Sequence, residues 1–420
     1  MEVVVENCAG VDVHKEQVTV CVMLGAPGKS VRKETRVFST FTGELMKLAS
    51  WLHSLKVTSI AMESTGVYWK PVYAVLEAAE GFALVVGNAQ HMKNVPGRKT
   101  DVKDAEWIAQ LLRHGLIRKS FVPPPDIRQL RDVVRYRRSL VQVRASERNR
   151  LQKLLESANV KLGSVVSDVF GMTGMAIVKA LVGGEANPAT LMELAQGNLR
   201  AKKADLKAAT ECRIEPHHRW LLSLQLEQLK RLDETIDVLD KDIDQRVEPY
   251  RAQVTLLESM PGVGATGAAN ILAEMGADMS VFPTAGQFAA WAGVCPGNNE
   301  SAGKRFSTPT RKGNPYLRTA FVEAATSAVR TRNTFYREKY YRMGCRMPRK
   351  KAKVAIAHKM AVAAHAMLKT GTCFKDLGPA YLDQLDTRRT AQKLAQRLVN
   401  LGYAVALTPP PSTEPTPRSC

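Results

Sequence analysis

Valines recur at every second position in CAGVDV and again in QVTVCVML, with the polar run HKEQ between them. That alternation predicts two β-strands over residues 8–24 joined by a turn, and ETRVFSTF at 34–41 predicts a third. Apolar spacing of three and four residues predicts helices at 43–55 and 68–79, and short β-branched runs predict strands at 58–63 and 82–87. A further helix begins at about 101, in DVKDAEWIAQLLRHG. Three meandering strands followed by alternating helices and strands describe an RNase H-like α/β domain.

Three prolines at 123–125 interrupt the pattern, and the arginine-rich stretch 126–157 then reads as one long helix. Residues 160–200 are rich in Gly and Ala with weak periodicity, and no element is assigned to them. From 217 to 250, Leu and Ile at three- and four-residue spacing predict a coiled-coil or helical-hairpin arm of the kind that joins protomers. A second compact region opens near 254, with the glycine-rich turn of MPGVGATGAANIL between two short helices, and helices resume at 314–342 and 351–369. The Pro-rich end is expected to be partly disordered. The expected fold is thus α/β plus α. Its parts are an α/β domain at 1–125, a basic helix and coiled-coil linker at 126–253, a mostly helical domain with a helix-hairpin-helix-like turn at 254–375, and a tail at 376–420.

Charge changes the picture. Sixty Lys and Arg against 40 Asp and Glu give a formal charge of +20, which favours a polyanionic partner, nucleic acid first. No apolar run of about 18 residues and no signal peptide is found, so a soluble, cytoplasmic protein with no membrane partner is expected. The 7 cysteines include no CxxC pair, which argues against a zinc ribbon or a disulfide framework. Cys212, His217 and His218 form a near-cluster of unfamiliar spacing, read as a helix start with two exposed histidines.

Four carboxylates stand where a nuclease of this fold needs them. Asp12 interrupts the valines of the first strand, an expensive place for an acid without a counter-charge. Glu63 closes the fourth strand, and Asp101 and Asp104, three apart at a helix start, share a face. Together they can hold two divalent cations, and hard oxygen ligands select Mg2+ or Mn2+. A second constellation lies in the loop GNNESAGKRFSTPTRKGNPYLR, where Gly, Asn and cations concentrate around Ser301, with Lys304, Arg305, Lys312 and Arg318 nearby. Read from the residues alone, Ser301 is either a nucleophile needing activation from outside the loop or a hydrogen-bond donor to phosphate, with Ser307 as its nearest competitor.

The motifs GVDVHK, MESTGVY and KTDVKDA, with MPGVG, FAAWAGVCPG, SAGK and KGNPYLR, resemble the DEDD transposases of bacterial insertion sequences, the IS-one-ten family. The family includes pilin-gene invertases and bridge-RNA-guided recombinases, and the likeness runs from about residue 8 to 370. By that resemblance Asp12, Glu63, Asp101 and Asp104 are the metal-binding tetrad of a RuvC-like domain, and Ser301 is the nucleophile of the transposase domain. It also implies a noncoding bridge RNA pairing donor and target DNA. The reaction expected is attack of Ser301 on a DNA phosphodiester, resolved by another strand's hydroxyl, within a dimer or tetramer acting on element ends and target. The alternative is a hydrolytic RuvC-like nuclease of the junction-resolvase type. Gly262 and Gly264 are candidates to offer backbone amides to phosphates. Arg128, Arg131, Arg135, Arg137, Arg138 and Arg144, and Arg346, Arg349, Lys350, Lys351 and Lys353, are candidates to track a nucleic-acid backbone.

Overall fold

The computed structural model describes residues 2–28, 30–64, 66–93, 95, 104–297, 300–301, 303–305 and 309–408; at 90, 93, 300, 301 and 305 the description is of the backbone. The chain divides after Val122 into two compact units.

The first unit is built on strands β1 (Cys8–Val13), β2 (Gln17–Leu24), β3 (Arg32–Ser39), β4 (Ser59–Glu63) and β5 (Ala83–Gly87). Their order in the sheet is β3-β2-β1-β4-β5. β1, β2 and β3 form an antiparallel meander, and β4 and β5 run parallel to β1. This is the mixed sheet of the RNase H-like α/β domain that the sequence pattern predicts. Helices α1 (Thr42–Ser54) and α2 (Trp69–Ala78) follow, with a short α3 (Ala89–Lys93) that the periodicity did not reveal. Helix α4 (Asp104–Arg113) completes the unit.

Strand alternation sorts the core into two layers. Ala9, Val11, Ile60 and Met62 face one way, into a cluster with Leu45, Leu48, Leu52, Val72 and Leu76 of α1 and α2. Cys8 and Ala61 face the other way, against Ala105, Ile108, Ala109 and Leu112 of α4. Gly10 shares that second face and is the closest point of the packing. A Cβ there would lie 2.2 Å from both the Ala105 carbonyl oxygen and the Ala109 nitrogen. Only glycine lets α4 sit backbone to backbone on β1.

The second unit begins with α5 (Pro125–Ser157), whose first residue is a proline suited to a helix start. Residues 160–200, to which the weak periodicity assigns no element, hold α6 (Leu162–Val165), α7 (Met172–Val182) and α8 (Pro188–Met192), and α9 (Lys203–Thr210) follows. Their periodicity is weak because the helices are short and are buried on more than one side, around Leu162, Ile177, Leu181, Leu191 and Leu206. Helix α10 (Pro216–Val247) then returns along α5. Arg137 meets Asp240, Arg144 meets Asp233 at 2.7 Å, and Arg246 meets Gln129 at 3.3 Å, so rising numbers on one helix face falling numbers on the other. The two helices are antiparallel.

Helices α11 (Arg251–Glu258), α12 (Ala265–Met275) and α13 (Ala285–Trp291) precede a small hairpin of β6 (Glu300–Ser301) and β7 (Lys304–Arg305). The helix expected at 314–342 is two helices, α14 (Pro315–Ala328) and α15 (Phe335–Gly344). Asn333 breaks it with a left-handed φ of 59°, and the Thr334 hydroxyl caps α15. After α16 (Arg349–Thr370), the tail forms α17 (Tyr381–Gln384) and α18 (Thr387–Asn400), and the Pro-rich end from 409 onward, expected to be disordered, lies outside the described residues. No helix among the described residues is long and apolar enough to cross a membrane.

Candidate active site

Residues 8, 10 and 12 of β1 and 59, 61 and 63 of β4 share the face that carries α4. The parallel register aligns Val11 with Met62, so Asp12 and Glu63 are neighbours at the carboxyl ends of adjacent strands. Asp104 is the first residue of α4, and the close seat at Gly10 brings that helix start to the same end of the sheet. Burial pushes the Asp12 carboxyl above its ordinary range, His14 pulls it back, and the charges of Asp104 and Glu63 push it up again. The charges of two of the other predicted acids, Asp104 and Glu63, therefore reach Asp12. His14 Nε2 lies 3.1 Å from Asp12 Oδ2, a partner that the sequence held in its GVDVHK motif without assigning it a role. The fourth acid, Asp101, lies outside the described residues.

The donor chemistry fits a hard divalent cation. Carboxylates at neighbouring strand ends and an adjoining helix start offer hard oxygen ligands of the kind a divalent cation takes. Among the described residues, the group whose ligand atoms all lie within 4.8 Å of one another is elsewhere, at Glu215, His217 and His218. A local cause accounts for it. Glu215 and His218 form a capping box at the start of α10, in which the Glu215 backbone N–H donates to His218 Nδ1 at 3.2 Å. His218 is buried there, not exposed as expected.

Ser301 sits on the β6–β7 hairpin of the second unit, where its backbone pairs with that of Lys304. Gly303 closes the turn with φ 75°, and Lys304 is exposed. Ser307 lies outside the described residues. Backbone bonds close the stalk of this excursion at Gly297 to Pro309 (3.0 Å) and Arg311 to Cys295 (3.2 Å). At its base, a Cβ on Gly313 would come within 2.5 Å of the Gly293 nitrogen, so two glycines let the returning strands touch.

That base is tied to the interior by residues which sequence reading missed or misassigned. Asn314 caps α14 through its Oδ1, takes the Trp291 carbonyl through its backbone N–H, and donates from Nδ2 to Glu274 at 2.6 Å. Glu274 is 2% exposed and receives both arms of Arg135, at 2.7 and 2.8 Å. Arg131 donates to the carbonyls of Ala273 and Glu274 at 3.0 and 2.7 Å, and burial lowers its pKa to about 10 while Glu274 opposes the fall. The reading of Arg131 and Arg135 as nucleic-acid contacts therefore gives way to one of anchors. The other arginines named on α5 are also engaged within the unit: Arg128 with the Pro123 carbonyl, Arg137 and Arg144 with α10, and Arg138 with Tyr316.

Gly262 has φ 86°, and a Cβ there would lie 2.4 Å from the Ala324 carbonyl oxygen and the Ala328 nitrogen, so its glycine is required by contact with α14. Gly264 is extended, opens α12 without a side-chain cap, and has open space around it. Lys312 and Arg318 are exposed near the start of α14.

A family model described as a DEDD transposase matches residues 9–160, and one described as "Transposase IS116/IS110/IS902 family" matches 254–342. The "Probable family 20 transposase" of Pseudomonas aeruginosa is 27% identical over 67% of this chain and 75% of its own length. The "Insertion element IS900 uncharacterized 42 kDa protein" of Mycobacterium paratuberculosis is 27% identical over 60% of this chain and 70% of its own. A solved RuvC of Thermus thermophilus is matched over 27% of this chain and 99% of that one at 13% identity, with a TM-score of 0.22, too low to carry weight. With both models matched in order, one on the unit that holds Asp12 and Glu63 and one on the segment that holds Ser301, the chain belongs to the IS116/IS110/IS902 family of transposases, the DNA-processing enzymes of insertion sequences.

Proposed function

We propose that this transposase cuts and rejoins DNA through a covalent phosphoserine at Ser301. In the first step Ser301 Oγ forms a bond to phosphorus, its proton passes to a basic group in the site, and the bond from phosphorus to a sugar oxygen breaks. In the second, a hydroxyl of another strand attacks the phosphoserine and releases the serine. One phosphodiester is exchanged for another, so no outside energy source is needed, whereas water as nucleophile would leave a break. Asp12, Glu63, Asp101 and Asp104 would hold Mg2+ or Mn2+, which when bound supplies charge stabilisation to the oxygens at phosphorus.

The observation that carries this reading is the parallel register that sets Asp12 beside Glu63 at the carboxyl ends of β1 and β4, with Asp104 opening the helix packed on that face. A chain with a formal charge of +20 suits DNA element ends and target, and a noncoding bridge RNA as guide. The antiparallel α5 and α10 are proposed as the arm that joins protomers, since paired strand exchange requires at least two copies.

Protein-DNA adducts trapped by denaturation in the presence of Mn2+ test the mechanism. Ser301→Ala should abolish adducts while leaving DNA bound. Nicking that survives in Ser301→Ala but is lost in Asp12→Ala would favour a hydrolytic RuvC-like nuclease instead. Asp12→Ala should slow strand transfer about a thousandfold or more, the equivalent of several kcal/mol of transition-state stabilisation. RNA copurifying with the protein should be enriched in noncoding sequence flanking its gene; its absence would remove the guide from the proposal.

A further inference from the structure

A second concentration of charge in the C-terminal unit plays no part in the reaction above. Arg330 and Arg332 lie in the turn between α14 and α15, Arg337 and Tyr341 project from α15, and Lys353 comes from the first turns of α16. With Tyr340 as a buried wall, these residues line a cavity of about 390 Å3. No acidic side chain lines it, and none of its four cations forms an ion pair among the described residues. The contrast with α5 is direct, since Arg131, Arg135, Arg137 and Arg144 all meet acids of their own unit.

Two further observations point to a ligand. Tyr341 is 51% exposed, with the Arg337 guanidinium 5.5 Å from its ring centroid, so an aromatic face stands at the mouth of a cationic cavity. Lys339, on the same helix, has its pKa lowered by burial and then by the charges of Lys359, Arg346 and Arg342, so further cations stand near the cavity on α15 and α16. Clustered unpaired cations repel one another and cost folding free energy, so a surface that keeps them is suited to a polyanion.

We propose that this cavity seats an unpaired nucleotide of a nucleic-acid strand, with its phosphate among Arg330, Arg332 and Lys353 and its base against Tyr341. The inference rests on the reading above only in taking nucleic acid as the ligand, and it does not involve Ser301. A phosphate alone would need only the cations. An exposed aromatic beside them adds a platform that any unstacked base can use and that a paired base in a duplex cannot reach.

The test is equilibrium binding of a labelled oligonucleotide of about 16 nucleotides, and of a hairpin duplex of the same composition, to the full-length chain in chelator and over a range of salt. Arg332→Ala combined with Lys353→Ala should weaken single-strand binding about tenfold and reduce the salt slope by up to about 1.4, the value for two lost phosphate contacts. Tyr341→Leu should weaken single-strand binding roughly fivefold or more and leave the duplex unchanged, and Tyr341→Phe should restore the single strand. Unchanged affinity and slope in the double variant would overturn the site. Equal loss on single strand and duplex in Tyr341→Leu would overturn the seat for a base. All these positions except Tyr340 reach the surface, so thermal melting separates lost binding from lost folding. Because chelator prevents strand cleavage, failure of the serine mechanism would leave this measurement readable.

Discussion

Asp12 and Glu274 are both carboxylates drawn away from bulk water, and the two units surround them differently. Glu274 in α12 is enclosed by cations and an amide, with two arms of Arg135, the nearby guanidinium of Arg131 and the side chain of Asn314. Asp12 in β1 has one histidine beside it; burial raises its pKa, His14 lowers it, and the charges of Asp104 and Glu63 raise it again. A carboxylate whose hydrogen bonds and charge are met by its own chain is part of the scaffold. One set beside other carboxylates carries a repulsion that only a cation from outside relieves, and this distinguishes a binding site from an anchor more surely than burial does. Glu274 is the more buried of the two and, by this criterion, the one with no chemistry to perform.

The largest effect should come from opening the anchor. Glu274→Ala leaves the Arg135 guanidinium and the Asn314 amide without their acceptor and the buried Arg131 without its counter-charge, which should destabilise the second unit by about 3–5 kcal/mol in urea unfolding. If the loss is under about 1 kcal/mol, the network is not holding the base of the serine hairpin. Gly10→Ala comes next. A methyl group forced to 2.2 Å from two backbone atoms of α4 should cost about 1–3 kcal/mol and displace Asp104 from Asp12, so strand transfer should fall further than stability does. Rescue of activity by simple thermal stabilisation would show that the glycine serves packing alone.

Asp12→Asn should have the smallest effect on stability, and the opposite sign. With its pKa raised in the fold, ionised Asp12 costs stability at neutral pH, and that cost disappears as pH falls below the ordinary carboxylate value. Removing the charge should therefore raise the metal-free melting temperature, while the further rise that Mn2+ gives the native protein should be lost. A variant that melts lower than the native chain in chelator would mean that the three acids do not repel as described.

Much of the first unit could be read from the chain because its signals are local. Alternating valines define β1 and β2, and the order of strands and helices after them leaves few ways to arrange the sheet. The hairpin around Ser301 was visible only as a polar, glycine-rich loop. The arginines of α5 misled because the acids that engage them, Asp233, Asp240 and Glu274, are between 89 and 139 residues away. Counting charges along α5 finds an excess that folding removes. Around Arg330, Arg332 and Lys353 the opposite holds, since positive charges from separate segments converge and none is offset.

The sequence by itself determined the kinds of chemistry on offer: oxygen ligands at strand ends, a serine among small residues and cations, and an excess of positive charge. Those follow from residue type and periodicity, which act over a few residues. Which acids share an edge, which arginines are consumed inside and which remain available were decided by the tertiary structure. Electrostatic free energy depends on distance in space and on solvent exposure, and neither is set until β1, β4 and α4, or α5, α10 and α12, have packed.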